Sequence, residues 1–424
     1  EVFEPKFTSH GFRYIQIEGL DAALPMKNVK AIVLNSIGQQ TSSFECSDSN
    51  INRLFENIVW GERGNFLSIP TDCPQRDERM GWTGDAQIFA RSACYNMDVD
   101  QFYTRWMNTV RDNQDSLGNY CDFFPVVGAA PKGGDLGGGA MGWTDAGVIV
   151  PWEVYLQYGD VQILKDHYNS MQRFISFLEK RAVDHIQPPG GYGDWLAPAG
   201  SPTMPTNTAY SAYDAWIMKH VATAIGKPED SAHYDSLYNA IKESYNRTFI
   251  NAEGVTVCPD PATYFPGARG DFYVGPAFVP REDHVVNTQT SYVVPLRFGL
   301  FDDAHKDLAV KKLNEAVKAN GYCLNTGFIG TPYLCTVLSE NGCDSTAFRL
   351  FEQTEYPSWL YPVLQGATTI WERWNSYTIM NGFGPVSMNS FNHYSYGAIQ
   401  EWMFAFLLGF QQDVESPGYK HFIL

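Results

Sequence analysis

Asp72-Cys73-Pro74-Gln75-Arg76-Asp77-Glu78-Arg79-Met80-Gly81-Trp82-Thr83-Gly84-Asp85-Ala86-Gln87 is the stretch from which the rest of the chain is read. Six charged side chains fall between Asp72 and Asp85, whereas Asp, Glu, Lys and Arg make up only 18% of the whole chain, below the roughly 25% of an average soluble protein. Pro74, Gly81 and Gly84 oppose one continuous helix. The segment therefore reads as a shaped loop that runs into a helix near Asp85, with Asp85 as the expected N-cap. Asp72, Asp77, Glu78 and Asp85 offer carboxylates, and Trp82 offers an apolar wall. Such a loop can be a salt-bridged structure around Arg76 and Arg79. It can also be an acid–base site in which one carboxyl is kept protonated to serve a leaving group. Spacing alone leaves both readings open.

On the N-terminal side, Phe12-Arg13-Tyr14-Ile15-Gln16-Ile17 alternates with period two, and Val29-Lys30-Ala31-Ile32-Val33-Leu34 is a second short apolar run. Residues 1–45 thus predict two strands. Two strands do not form a stable sheet alone, so this stretch reads as the remnant of a preceding β-sandwich domain. From Ser49-Asn50, an expected N-cap, the period changes to that of a helix with Ile51, Leu54, Phe55 and Ile58 on one face. Helical patterns recur at 85–95, 100–115, 144–158, 161–182, 208–226, 230–248, 287–299, 304–319, 332–340, 344–354 and 394–409. Long Gly/Pro-rich loops separate them, among them Pro131–Gly142, Pro188–Pro205 and Pro259–Pro280, and loops of that length inside a compact domain are usually functional. A dozen helices without a fixed repeat predict a mainly α protein, a toroid of paired helices over residues 46–412. Residues 413–424 end in the strand-like Phe422-Ile423-Leu424 and read as the start of a C-terminal β-domain.

Composition narrows the ligand. A formal net charge of −17 lacks the basic footprint that nucleic acid or an anionic membrane surface needs. Aromatic residues reach 15%, with 11 Trp and 24 Tyr, which suits either an aromatic core or a cleft whose flat rings stack on sugars. The eight cysteines are scattered without metal-ligand spacing and read as buried, reduced thiols. No HExxH, EF-hand or G-x-S-x-G pattern appears, and Gly133–Gly139 lacks the ending of a phosphate loop, so no metal or cofactor is implied. No run of 18 apolar residues is long enough to span a membrane. The chain starts at Glu1-Val2-Phe3-Glu4 without Met and without a leader pattern, which reads as an internal start and leaves the compartment and oligomeric state unassigned.

The string DCPQRDERMGWTGDAQ resembles the signature of inverting α-L-rhamnosidases of the (α/α)6-barrel type. The resemblance implies an (α/α)6 toroid, with Glu78 of the RDER string as general acid and no cofactor. It assigns Asp72 and Arg76 to rhamnose hydroxyls, Trp82 to the sugar pocket, and Asp85 to the sugar or the acid. Gly366-Ala367-Thr368-Thr369-Ile370-Trp371-Glu372-Arg373-Trp374 is similar to a second string of the family, which implies Glu372 as general base. Asn392-His393-Tyr394 resembles a third and places His393 at the substrate; its imidazole could instead bond Glu372 or its water. Trp143 and Trp195 are also expected in the pocket. Asp145 is expected as a helix cap, and Asp194 as a possible contact to the sugar. Tyr356–Trp359 is a less supported further wall. For Asp77 and Arg79 a structural role is the better reading. The function implied is hydrolysis of terminal α-L-rhamnosyl residues with inversion. Two alternatives stand beside it: the same barrel acting on another glycoside, or a non-catalytic carbohydrate-binding homologue.

Overall fold

The computed structural model describes residues 2–126, 140–266 and 284–424. Most of loop Pro131–Gly142, including the glycine run, and much of Pro259–Pro280 lie outside them. Twelve α-helices follow in order: α1 Ser49–Asn65, α2 Thr83–Asn96, α3 Asp100–Asp112, α4 Ala146–Tyr158, α5 Gln162–Arg181, α6 Thr203–Ala224, α7 Pro228–Phe249, α8 Gln289–Arg297, α9 Lys306–Ala319, α10 Thr331–Glu340, α11 Asp344–Phe351 and α12 Leu360–Leu364. A final helical run, Ser395–Leu407, passes through 3₁₀, α and π geometry. Each patterned stretch in the sequence became helix; α12 is an addition that is too short to carry a period.

Packing sorts the helices into two rings. α2 lies against α4, α4 against α6, α6 against α8, α8 against α10, α10 against Ser395–Leu407, and that run closes back on α2. These six form an inner ring. Four of them pack on the helix that follows as a hairpin, α4 with α5, α6 with α7, α8 with α9 and α10 with α11. Composition explains the division. Ala146-Gly147-Val148-Ile149-Val150-Pro151-Trp152 in α4 is apolar on every side and buried, as an inner helix must be. α5 and α9 keep charged residues on one side and bury the other. α2 is built of small residues, which lets its neighbours approach closely. A Cβ on Gly84 would fall 2.5 Å from the Trp143 ring.

The expected N-terminal strands are not there. Among the described residues, 2–35 form no ladder; Met26–Asn28 makes one 3₁₀ turn, and Phe12, Tyr14, Ile15, Ile17, Ile32, Val33 and Leu34 are exposed. Alternation shows that a segment can lie on a sheet, but a strand exists only where a neighbour supplies the other half of its hydrogen bonds. At the other end, Phe422–Ile423 pairs antiparallel with Gln411–Gln412. Two expected caps also shift. Asp48 caps α1 by accepting from Asn50 N at 2.7 Å. Asp85 lies in the first turn of α2, whose N-cap position is Trp82. The eight cysteines are free thiols; Cys73, Cys94, Cys258 and Cys335 are buried and the other four half-buried. No described helix is long and apolar enough to cross a membrane.

A network of partly buried ions ties the inner ring together. Arg91 of α2 meets Glu153 of α4 at 2.8 Å and Glu401 at 3.7 Å; Arg297 of α8 meets Glu401 at 3.2 Å and Glu340 of α10 at 2.8 Å. Five of the six inner helices thus share one set of charges. Arg91→Ala would strand Glu153, while Glu401 keeps Arg297, and a buried charge that loses its partner costs about 3–5 kcal/mol. Urea denaturation at pH 7 is expected to show a loss of that order.

Candidate active site

The segments that precede the inner helices converge at one end of the toroid. Asp72–Trp82 leads into α2, Gly142–Asp145 into α4, Pro188–Pro202 into α6, Leu324–Gly330 into α10, and Glu372–Tyr394 into the last helical run. This end also receives the N-terminal, partially positive ends of those helices, which favour carboxylates.

Loop 72–82 is held by its own backbone. Asp72 N donates to Met80 O at 3.0 Å, and Met80 N returns a bond of 2.9 Å to Asp72 Oδ1. Gly81 passes so near Phe124 that a Cβ would lie 2.2 Å from the Phe124 carbonyl oxygen. Arg79 adopts φ +46° and bonds Arg76 O at 2.9 Å and Ser9 O at 3.0 Å, a structural use of its guanidinium. Asp77 points outward and is exposed.

Arg76 is the centre of the charges. Its Nη1 bonds Glu372 Oε2 at 3.1 Å and its Nη2 bonds Glu372 Oε1 at 3.3 Å, across 296 positions of sequence. The same Nη2 lies 2.5 Å from Glu78 Oε2 and 3.7 Å from Asp72 Oδ2. The strings read separately from the sequence, around Glu78 and around Glu372, therefore meet on one guanidinium. The two glutamates differ in environment: the Glu78 side chain is 30% exposed and that of Glu372 only 4%. Glu78 Oε1 also accepts from Trp82 Nε1 at 3.0 Å. Glu372 is pinned by a pair of bonds with Ser390, Glu372 N to Ser390 O at 2.9 Å and Ser390 N to Glu372 Oε2 at 3.1 Å. Burial, together with the negative charge of Glu78, pushes the Asp72 carboxyl up to about 7.

His393 does not bond Glu372. Its Nε2 meets Asp85 Oδ1 at 3.0 Å, and Ser395 Oγ donates to the same oxygen at 3.1 Å. Burial alone would depress the imidazole pKa, but the bond to Asp85 and the charges of Asp85, Glu372 and Asp72 outweigh it and raise it above its ordinary 6.5. Asp72, Cys73 and Glu78 bring potential metal ligands within 4.8 Å of one another. They do not suit a cation: Arg76 already supplies positive charge there, and burial keeps the Cys73 thiol protonated.

The three expected pocket tryptophans meet around a residue the sequence reading passed over, Tyr192. Its ring centroid lies 5.8 Å from Trp82, 4.8 Å from Trp143 and 5.9 Å from Trp195. Trp82 and Trp195 are half-buried, whereas Trp143 is only 3% exposed and backs the others. Tyr192 Oη donates to Asp122 Oδ2 at 2.9 Å. Asp122 O in turn accepts from Thr83 N and Oγ1 at 2.8 and 2.7 Å, which fixes the start of α2. The only available signal for Tyr192 was its place in Gly190-Gly191-Tyr192-Gly193-Asp194-Trp195; Asp122 carried none.

Two carboxylates prove structural. Asp194 is buried and accepts from Gly327 N at 2.8 Å, Ile329 N at 3.0 Å, Gly330 N at 3.1 Å and Thr290 Oγ1; it clamps the α10 entry loop beside Trp195. Asp145 holds the N-cap position of α4 without a capping bond, accepts from Gly142 N, and lies against Asp214, whose carboxyl is raised by burial and by Asp145. Trp359 and Trp374 belong to the core: Trp374 stacks on Tyr396 at 3.8 Å, and Trp359 Nε1 bonds Tyr396 O at 3.1 Å.

Burial lifts Asp122 from its ordinary 3.8 to about 7, with the Tyr192 bond pulling the other way. A carboxyl that holds its proton more tightly when folded adds stability fully present below about pH 4 and lost as pH rises through 7. Asp122→Asn cannot titrate. The stability of the wild type relative to this variant is expected to fall by up to about 4 kcal/mol between pH 4 and pH 7, as measured by denaturation in a pH series.

Residues 39–407 match the family described as bacterial alpha-L-rhamnosidase 6 hairpin glycosidase domain, and residues 1–35 match that family's concanavalin-like domain. The chain is 38% identical to an alpha-L-rhamnosidase of Streptomyces avermitilis, covering 100% of this chain and 38% of the relative. It is 40% identical to one of Formosa agariphila, covering 98% and 42%. Among solved structures, the Streptomyces avermitilis alpha-L-rhamnosidase complexed with L-rhamnose superposes with a TM-score of 0.80 at 38% identity, over 91% of this chain and 34% of that one. A native α-L-rhamnosidase from Aspergillus terreus gives 0.87 at 32% identity, over 99% and 46%. The chain thus spans about two fifths of the length of the curated relatives it matches.

Proposed function

This chain belongs to the bacterial α-L-rhamnosidases with a six-hairpin glycosidase domain, and we propose that it hydrolyses terminal α-L-rhamnosyl bonds with inversion at the anomeric carbon. Residues 46–412 form the catalytic unit in this reading, residues 1–45 the end of a preceding β-domain, and residues 413–424 the start of a following one. Glu78 protonates the glycosidic oxygen, and Glu372 takes the proton of the attacking water. The observation that carries this is the Arg76 guanidinium, which brings together two carboxylates of unlike exposure from distant strings.

The assignment of roles follows environment. Glu78 is the more exposed and stands under the Trp82 indole N–H, where a leaving group can arrive and depart. Glu372 is buried and fixed by Ser390, as suits a base that must aim one water. Asp72 Oδ2 and Arg76 Nε are buried without hydrogen-bond partners among the described residues; in this reading Asp72 and Arg76 take ring hydroxyls. Trp82 and Trp195 flank the ring, with Trp143 behind them, and the Asp85–His393 pair supports the floor. One guanidinium nitrogen, Arg76 Nη2, stands between the two carboxylates, 2.5 Å from Glu78 Oε2 and 3.3 Å from Glu372 Oε1.

Rhamnose release from an aryl α-L-rhamnoside by wild type, Glu78→Gln and Glu372→Gln tests the pair. Each variant is expected to lose about 10²–10⁴-fold in kcat; retention of more than a few per cent on a poor leaving group would remove that residue from the mechanism. Proton NMR of the first-formed sugar is expected to show the anomer opposite to the substrate's. A panel of other aryl glycosides checks the sugar.

A further inference from the structure

We infer that Tyr192 is a positioning residue for Glu78: anchored through its hydroxyl to Asp122 and set among Trp82, Trp143 and Trp195, it fixes the Trp82 indole whose N–H holds the Glu78 carboxyl. This rests on the reading of Glu78 as the general acid. The links are short and continuous. Glu78 Oε1 accepts from Trp82 Nε1 at 3.0 Å. The Trp82 ring is held edge-on by Tyr192, with an interplanar angle of 84°, and by Phe123, with centroids 5.3 Å apart. Trp82 is half-buried at the edge of the core, and on its open side these two rings bear on its tilt.

Phe123 cannot do this alone. It follows the backbone, since residues 123 and 82 pair as an isolated bridge, and it covers one edge of the indole. Tyr192 reaches Trp82 from a different segment, the loop that precedes α6. The Tyr192 ring would turn about its own bonds without an anchor. Asp122 supplies one at 2.9 Å, and the Asp122 main chain is bonded to Thr83, the residue after Trp82. One residue thus fixes both the backbone from which Trp82 projects and the ring on which it leans. Trp143 and Trp195 hold the remaining sides of Tyr192 at centroid distances of 4.8 and 5.9 Å.

The consequence is specific to proton donation. A misdirected acid slows departure of a basic leaving oxygen and barely touches one that leaves unaided. A damaged sugar pocket slows both alike and raises KM. Tyr192→Phe keeps the ring contacts and deletes only the anchor; Tyr192→Leu deletes the ring. Both are to be assayed with an aryl rhamnoside of acidic phenol and with an alkyl rhamnoside, beside Glu78→Gln, with near-ultraviolet circular dichroism to establish folding. For the alkyl substrate, kcat is expected to fall about fivefold in Tyr192→Phe, the weight of one hydrogen bond, and by tens-fold in Tyr192→Leu. The acidic phenol should be cleaved within about twofold of wild type, with KM unchanged. Equal losses on both substrates, a change confined to KM, or no change in Tyr192→Phe would overturn the inference while leaving the acid in place, provided Glu78→Gln shows the leaving-group selectivity. If Glu78→Gln shows none, the acid assignment falls and the positioning role falls with it. Tyr192→Phe decides the matter should Tyr192→Leu fail to fold.

Discussion

Arg76 stands among Asp72, Glu78 and Glu372, and its placement constrains every other part of the site. Three carboxylates so close together could not all ionise without a cation between them, because like charges in a half-buried space raise one another's pKa. Burial and the charge of Glu78 already push Asp72 up to about 7 with the guanidinium present. The planar fork of Arg offers two parallel donors to Glu372 and still turns one nitrogen toward Glu78, a geometry that Lys, a single point charge, does not reproduce. The loop that carries Arg76 must therefore be rigid, and the Asp72–Met80 bonds and the Arg79 strut make it so.

Rigidity continues outward by means that are not electrostatic. Trp82, Tyr192, Trp143 and Trp195 lock one another by ring contacts, and Gly84 allows α2 to pass directly over Trp143. The Asp194 carboxylate gathers several backbone N–H groups of the α10 entry loop that would otherwise be unpaired, while Asp122 holds the start of α2 through its main-chain oxygen and Tyr192 through its buried carboxylate. The site thus rests on buried acids that never meet substrate in the proposed mechanism. Such acids account for part of the surplus of carboxylates in a chain otherwise poor in charge.

The sequence showed some of this and hid the rest for identifiable reasons. Helical patterning marked the main helices, because an outer helix buries a face that repeats every turn and an inner one such as α4 shows as a long apolar run. The resemblance singled out Glu78, Arg76 and Glu372, which the structure brings together, although the residues alone left Glu78 one of four. The N-terminal strands failed because period two reports a face and not a partner. Asp85 looked like a cap by position, but the helix begins earlier and its carboxylate turns to His393. Tyr192 and Asp122 were invisible because their importance lies in what they touch across more than 60 positions, and neither carries a signature of its own. Asp194 sat beside a pocket tryptophan and looked like a ligand for sugar, when its partners are main-chain amides.

Closure of the inner ring has a bearing on biosynthesis. Ser395–Leu407 supplies the last wall and packs on α2, the first. Arg76 and Glu372 are 296 positions apart, an interval that a ribosome making about 5–20 residues per second needs roughly 15–60 s to cover. Through that time α2 has no neighbour on one side, and the loop with Asp72, Arg76 and Glu78 has no Glu372 to bind. The nascent chain must carry an open arc of helices with an exposed apolar seam. The proposed catalytic centre is consequently among the last parts of the domain to exist, and a chain released early has Glu78 but not Glu372.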